Sequence, residues 1–152
     1  VAVVSGSGMD VDLHLGQALT LRDGEEVCLI ATGTIMPEVL DAADRLAPAG
    51  VSARVESFHT VKPLDEARLA DLFARFAVIA TVEEHSRIGG LGGAVAEWLA
   101  AQEPAQRGRM LSFAVADSFL HEVGSQDYAR RRFGLTGEAI AARTLRALSA
   151  HG

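Results

Sequence analysis

Val27-Cys28-Leu29-Ile30-Ala31 is an unbroken apolar run, followed at once by Thr32-Gly33-Thr34 and then by Val39, Leu40, Ala43, Leu46 and Ala47 at helical spacing. A strand that is apolar at both alternating sets of positions is covered on both faces, the mark of a parallel sheet with helices above and below it. The helix that follows puts Glu38, Asp41, Asp44 and Arg45 on its outer side. Thr34 is its expected cap, and Pro37 falls in its first turn, where a missing N–H costs nothing. Pro48 and Gly50 end it.

The alternation extends outward in both directions. Upstream, residues 13–21 read as a strand, and Asp23-Gly24 as a tight turn expected to fold that strand back onto the apolar run as a hairpin. Downstream, strands are expected at 51–58, 77–82 and 110–115. Between them lie a helix opened by Asp65 (Leu69, Leu72, Phe73, Phe76 inward) and one after Gly89 (Ala94, Val95, Trp98, Leu99 inward). A short helix at 128–132 ends at Gly134, and a last one at 137–149 is capped by Thr136. Right-handed crossovers place such helices on both sides of the sheet. The expected fold is α/β: a three-layer α/β/α sandwich around a mostly parallel sheet of about five strands, one of them antiparallel. Residues 1–12, with Ser5-Gly6-Ser7-Gly8, read as a linker or engineered scar, and 13–152 as the domain.

Composition agrees. With 152 residues there is one domain, and 49% apolar residues suffice for its core. Fourteen Lys and Arg against 20 Asp and Glu give a net charge of −6, a poor match for nucleic acid or an anionic membrane. Cys28 is the single cysteine, so no internal disulfide and no cysteine-rich zinc site is expected. It reads as a buried structural thiol. Neither a membrane-spanning run nor a secretory leader is visible, so the expected location is cytoplasmic. The chain opens on Val1, as a trimmed protein or a piece of a longer one would.

Few residues point to chemistry. Gly89-Gly90-Leu91-Gly92-Gly93 has neither the G-x-G-x-x-G spacing nor a Walker ending. The glycines read first as a tight turn that lets a helix start pack closely, and second as an anion site at that helix N-terminus. Gly90, Leu91, Gly92 and Gly93 are thus the anion or interface candidates. Glu83-Glu84-His85 falls at the carboxyl end of a strand, where open α/β sheets place their sites. No catalytic set is expected: adjacent carboxylates on a strand point to opposite faces and form no dyad, His85 and Glu84 are the weak catalytic candidates, and the trio reads equally as residues that order a loop or contact a partner. The histidines have no metal-ligand spacing, and no metal site is expected. Arg130-Arg131-Arg132 before Phe133-Gly134 reads as a helix end, with an anion or partner site as the second reading.

Taken together, Val61-Lys62-Pro63-Leu64-Asp65, Thr81-Val82-Glu83-Glu84-His85 and Gly89-Gly90-Leu91-Gly92-Gly93-Ala94-Val95-Ala96-Glu97, in that order, resemble the C-terminal domain of the transketolase family. Ala31-Thr32-Gly33 and Phe133-Gly134-Leu135 fall where that domain has similar residues, and the likeness covers about Leu13 to Leu148. The Glu-Glu-His and Gly-Gly-Leu-Gly version is most similar to bacterial two-chain transketolases. Deoxyxylulose-phosphate synthases and the β subunits of 2-oxoacid dehydrogenases rank next. The resemblance implies a thiamine-diphosphate enzyme that moves a two-carbon ketol unit between sugar phosphates. Its pyrimidine-binding and diphosphate-binding modules, on a separate chain or a missing part of this one, hold cofactor and Mg.

In that setting this chain binds no cofactor, is inactive alone, and contributes packing and homo-oligomer contacts. It contains no Gly-Asp-Gly motif for a Mg-diphosphate. Leu91→Asp is expected to weaken assembly if the glycine loop meets another module. Two other readings stand beside this one: a protein-docking adaptor of the dehydrogenase kind, and an independent domain that binds an anion at Gly92 and His85.

Overall fold

A computed structural model describes residues 13–103, 108–116 and 125–150. The expected linker at 1–12 lies outside the described residues. Five strands, β1 (Leu19–Arg22), β2 (Val27–Ala31), β3 (Ala53–Ser57), β4 (Val78–Ser86) and β5 (Arg109–Val115), form one sheet in the order β1-β3-β2-β4-β5. All neighbours are parallel except β1 and β3. The helices are α1 (Met36–Leu46), α2 (Glu66–Arg75), α3 (Leu91–Ala100), α4 (Gln126–Phe133) and α5 (Gly137–Ser149).

The apolar run is the central strand and divides the core. Val27, Leu29 and Ala31 enter one cluster with Val39, Ala43 and Leu46 of α1 and Ile140 and Ala147 of α5. Cys28 and Ile30 enter the other, with Leu69, Leu72 and Phe73 of α2 and Leu91, Val95 and Trp98 of α3. Period-two alternation in a strand buried on both sides thus makes two cores from five residues. Each fully buried Leu or Phe stabilises by about 1.5–3 kcal/mol. The expected three-layer sandwich is the observed one.

Local caps follow the sequence closely. Asp65 accepts from the Arg68 N–H at 3.0 Å and Thr136 from the Ala139 N–H at 3.3 Å, while Gly134 closes α4 at φ 67°. At Gly137 an added Cβ would lie 2.0 Å from Asp41 Oδ2, and this glycine lets α5 start directly against α1.

Four expectations are corrected. Strand β1 begins at Leu19, and residues 13–17 lie outside it. It does not form a hairpin with β2. It pairs with β3 instead, Leu19 opposite Ser57, so β1 and β2 flank β3 on either side and the Asp23-Gly24 link crosses the start of β3. The crossing is tight: Glu25 and Glu26 donate N–H groups to the Ser52 carbonyl at 3.2 and 3.0 Å, and a Cβ on Gly24 would lie 2.2 Å from the Ala53 carbonyl carbon. Strand β4 does not stop at Val82 but runs on to Ser86, because a shift in its ladder with β5 lets Ser86 still meet Val115. Lastly, Thr34 sits in a 3₁₀ turn (Gly33–Ile35) ahead of α1 and makes no cap bond.

The crossing yields a test. Gly24→Ala is expected to cost about 1–3 kcal/mol through overpacking against backbone that cannot move aside. A urea midpoint equal to the wild type would show that the link does not cross β3.

Candidate functional site

Strand order reverses between β2 and β4. The chain leaves β2 for β3 on one side, then crosses to β4 on the other, so the carboxyl ends of β2 and β4 border the point where such sheets place their sites. Thr32, Gly33 and Thr34 follow β2 there, and Glu83, Glu84 and His85 close β4. The two glutamates face opposite ways, as alternation requires.

Glu83 is wholly buried. Its Oε2 accepts the Leu91 N–H and its Oε1 the Gly92 N–H, both at 2.8 Å, so the carboxylate occupies the N-terminus of α3. Two otherwise unpaired helix donors and the positive end of the helix dipole offset the cost of burying the charge. The glycines make room for it. A Cβ on Gly90 would sit 2.1 Å from Glu83 Oε2, and one on Gly92 would meet Ser112 Oγ at 3.0 Å, Thr81 Oγ1 at 3.1 Å and Glu83 Oε1 at 3.2 Å. At Gly93 the nearest atom would be the Arg87 carbonyl at 3.6 Å, ordinary contact. The protein's own carboxylate therefore holds the place considered for an external anion. Leu91 points into the α2–α3 core with no exposed surface. Leu91→Asp would consequently report on folding and not on assembly, a correction to its expected use.

Glu84 lies on the other side and gathers three donors. Thr34 Oγ1 donates to its Oε2, Arg130 Nε to Oε1 at 2.6 Å, and Gln126 Nε2 lies 3.1 Å from both oxygens. Arg130 also donates to the Thr34 carbonyl at 3.2 Å and stands 3.6 Å from Glu38. Burial pushes the Glu84 carboxyl up, but the Arg130 and Thr34 hydrogen bonds and the Arg130 charge outweigh it, and the group is held below its ordinary value of 4.5. The Glu84 hydrogen bond in turn raises the Arg130 guanidinium. Both catalytic candidates are now placed: Glu84 is consumed in this clamp, and His85 is exposed, with no hydrogen bond or ion pair to a described residue.

Arg131 and Arg132 are exposed at the end of α4, and Arg130 alone turns inward. The Cys28 thiol is buried, and burial, then the Glu56 carboxylate, pushes it far above its ordinary range, so it is no nucleophile. Among the described residues no group of three or more His, Cys, Asp and Glu can hold a metal. His121 and His151 lie outside the described residues.

Two buried charged groups, Glu56 and its partner Arg54, belong to none of the motifs. Glu56 on β3 has no exposed surface and accepts from Thr20 Oγ1 at 2.8 Å and Arg54 Nε at 2.5 Å, with Arg68 at 3.8 Å. Its only sequence signal is charge at alternate positions in an otherwise apolar strand, which tells the face but not the burial.

Comparison with known proteins follows this geometry. Residues 16–140 match the model of the family described as transketolase, C-terminal domain. The chain is similar to the 6-deoxy-6-sulfo-D-fructose transketolase subunit SqwH of Clostridium sp. (strain MSTE9), 42% identical over 129 residues, 85% of this chain and 39% of that protein. It is also similar to the 1-deoxy-D-xylulose-5-phosphate synthase of Thermomicrobium roseum, 37% identical over 154 residues, 97% of this chain and 24% of that one. Among solved structures it resembles a split gene transketolase described as an inactive beta4 tetramer, with TM-score 0.81 and 31% identity, across 94% of this chain and 45% of that one. The chain thus spans less than half the length of each of these three proteins.

Two outcomes follow from the two carboxylates. Glu83→Gln places an NH₂ against one of the two α3 donors and is expected to cost about 1–3 kcal/mol; a melting temperature within 1 °C of wild type would overturn the cap (about 2–4 °C per kcal/mol is usual at this size). Glu84 is depressed in the folded state, so its contribution is complete above the ordinary carboxylate value and lost as pH falls through the folded one. Glu84→Gln should therefore destabilise by about 2 kcal/mol at neutral pH, with the gap to wild type closing below about pH 4. Thermal melts across pH would refute the clamp if the gap stayed constant.

Proposed function

We propose, from the premise that this chain belongs to the transketolase C-terminal domain family, that it serves as a packing and subunit-contact module of a thiamine-diphosphate-dependent transketolase-type enzyme. The carboxylates at its strand-reversal point support this most strongly, since each is spent inside the fold: Glu83 on α3, Glu84 on Arg130. Of Glu83, Glu84 and His85 at that strand end, only His85 is left exposed.

The described residues offer the cofactor implied by the family little to hold it. Among the described residues no group of three or more His, Cys, Asp and Glu could hold a metal ion. The one helix N-terminus best formed for a diphosphate is filled by Glu83. Cofactor and Mg belong, on this reading, to the pyrimidine-binding and diphosphate-binding modules of the same enzyme, and the chemistry they supply is two-carbon ketol transfer between sugar phosphates. The chain's part is to brace those modules and to help join copies of the enzyme. No described helix is long and apolar enough to cross a membrane, which suits a cytoplasmic enzyme.

The likeness to a deoxyxylulose-phosphate synthase over 97% of the chain favours a second reading, with the same module in that synthase. A docking role in a 2-oxoacid dehydrogenase β subunit is the remoter form of it. The partner chain separates these: native affinity isolation with mass spectrometry identifies the polypeptide that carries the cofactor motif.

Titration of the isolated chain with Mg-thiamine diphosphate in a calorimeter is expected to give no saturable heat at micromolar concentrations. Saturable heat would overturn the assignment of the cofactor to other modules.

A further inference from the structure

We infer that the domain meets the cofactor-carrying part of its enzyme through the carboxyl end of its sheet, with Leu15 and Ile88 as the apolar contacts; the inference rests on the family reading above. The first argument is topological. Strand β1 alone runs antiparallel, so its first residue, Leu19, pairs with Ser57, the last of β3. Residues 13–18 therefore lie at the carboxyl end. They are fastened there: His59 Nε2 donates to the His14 carbonyl at 3.0 Å, and the Ala18 N–H donates to Asp65 Oδ2 at 2.7 Å. A Cβ on Gly16 would meet Pro63 Cγ at 3.0 Å. The polypeptide thus enters the domain at this end. The family is by description a C-terminal domain, and the match to this chain covers 39% of the SqwH subunit and 45% of the split-gene chain. Modules that precede such a domain in chain order join it where its first strand begins.

The second argument is exposure. Among the described residues, the large apolar side chains left exposed are Leu13 at 45%, Leu15 at 84% and Ile88 at 73%, and all three stand at the carboxyl end. The opposite end, at the β1–β2 link, presents the exposed carboxylates Asp23, Glu25 and Glu26. Contact surfaces are depleted in charge at their centre and carry apolar anchors there. The strands leading to the two anchors are three places apart, about 14 Å at ordinary strand spacing, which fits within one standard contact of roughly 800 Å² per partner.

Ile88 is held out, not left loose. The Ile88 N–H donates to Ser86 Oγ at 3.3 Å and the Arg87 N–H to the Val115 carbonyl at 3.1 Å; Gly89 turns at φ 81°, and the Glu83 cap fixes Leu91 just beyond. A knob ordered before binding loses little conformational freedom on contact.

The test places a photo-reactive residue at position 15, 88 or, as an amino-end control, 25, in the native assembly, and reads the cross-linked peptides by mass spectrometry. Positions 15 and 88, but not 25, are expected to join a polypeptide bearing the Gly-Asp-Gly cofactor motif, on a separate chain or earlier in a longer one. In parallel, the double variant Leu15→Asp, Ile88→Asp should keep the melting temperature of the isolated domain and weaken assembly at least about tenfold by sedimentation, as removal of central anchors does. Cross-links to that polypeptide from position 25 alone, or unchanged sedimentation of the double variant, would overturn the face while leaving the family function intact. Cross-links from 15 and 88 to a second copy of this domain would overturn the partner. If no position reaches a cofactor-bearing polypeptide and none co-purifies, the proposed function falls with the inference.

Discussion

The two hydrogen bonds from Leu91 and Gly92 to the buried Glu83 carboxylate tie the end of β4 to the start of α3. A charge with no exposed surface is tolerated only when nearly every lone pair is satisfied, and here the donors are backbone groups that α3 would otherwise leave unpaired. That requirement dictates the glycines, since a side chain at Gly90 would collide with the carboxylate itself. It sets α3 at one height over β4 and β5, seats Leu91 and Val95 in the core, and defines where the 86–89 loop must turn back. The adjacent Glu84, on the other side of the same strand, ties the turn ahead of α1 to α4 through Thr34 and Arg130. Two consecutive strand residues thus fasten the two helical layers to one strand end.

The Arg54–Glu56 pair shows the same economy of placement on β3. Both charges lie on one side of the strand, two residues apart, against Thr20 of β1. A buried ion pair adds little net stability compared with apolar residues of the same size, because desolvation cancels most of the attraction. What it does add is selectivity: Thr20 accepts from Arg54 and donates to Glu56, and a one-residue slip of β1 would remove both bonds and leave two buried charges short of partners. That matters for a four-residue edge strand none of whose residues is fully buried.

Features set by neighbours in sequence were legible, and those set by distant partners were not. The 27–31 run gave its strand, its parallel neighbours and its double burial, because an apolar residue at every position has one structural meaning in a short strand. Asp65, Thr136 and Gly134 act within four residues of themselves, so their caps could be read directly. The antiparallel strand was foreseen but not its partner: Asp-Gly between two apolar stretches is a hairpin signal, and nothing local reports that β3 inserts between them. Thr34 looked like a cap because Pro37 follows, whereas Glu84, fifty residues on, claims its hydroxyl. The polar stretch after Val82 looked like the end of a strand for the same reason. Its partners, α3 on one side and α4 on the other, cannot be inferred from its own composition. The family resemblance was legible because it rests on the order of several short motifs, each of which has an identifiable structural job here. The glycine cluster makes room for a carboxylate, the Glu-Glu pair fastens two layers, and Asp65 caps α2 while holding the start of β1.

This assignment of jobs accounts for how the two carboxylates at the strand reversal are used. Open α/β sheets offer a crevice at the strand reversal, and helix N-termini there attract anions. In this molecule both opportunities are taken by its own glutamates, one per side of β4. An internal carboxylate is always present at its site, so an external anion would have to displace it and leave it buried and unpaired. Beside the exposed His85 and Arg87, that end presents Ile88 and an entering segment with two leucines. Ile88 and the two leucines are the apolar part of that end, and apolar anchors of this kind are what the inferred contact with the cofactor-carrying modules would use.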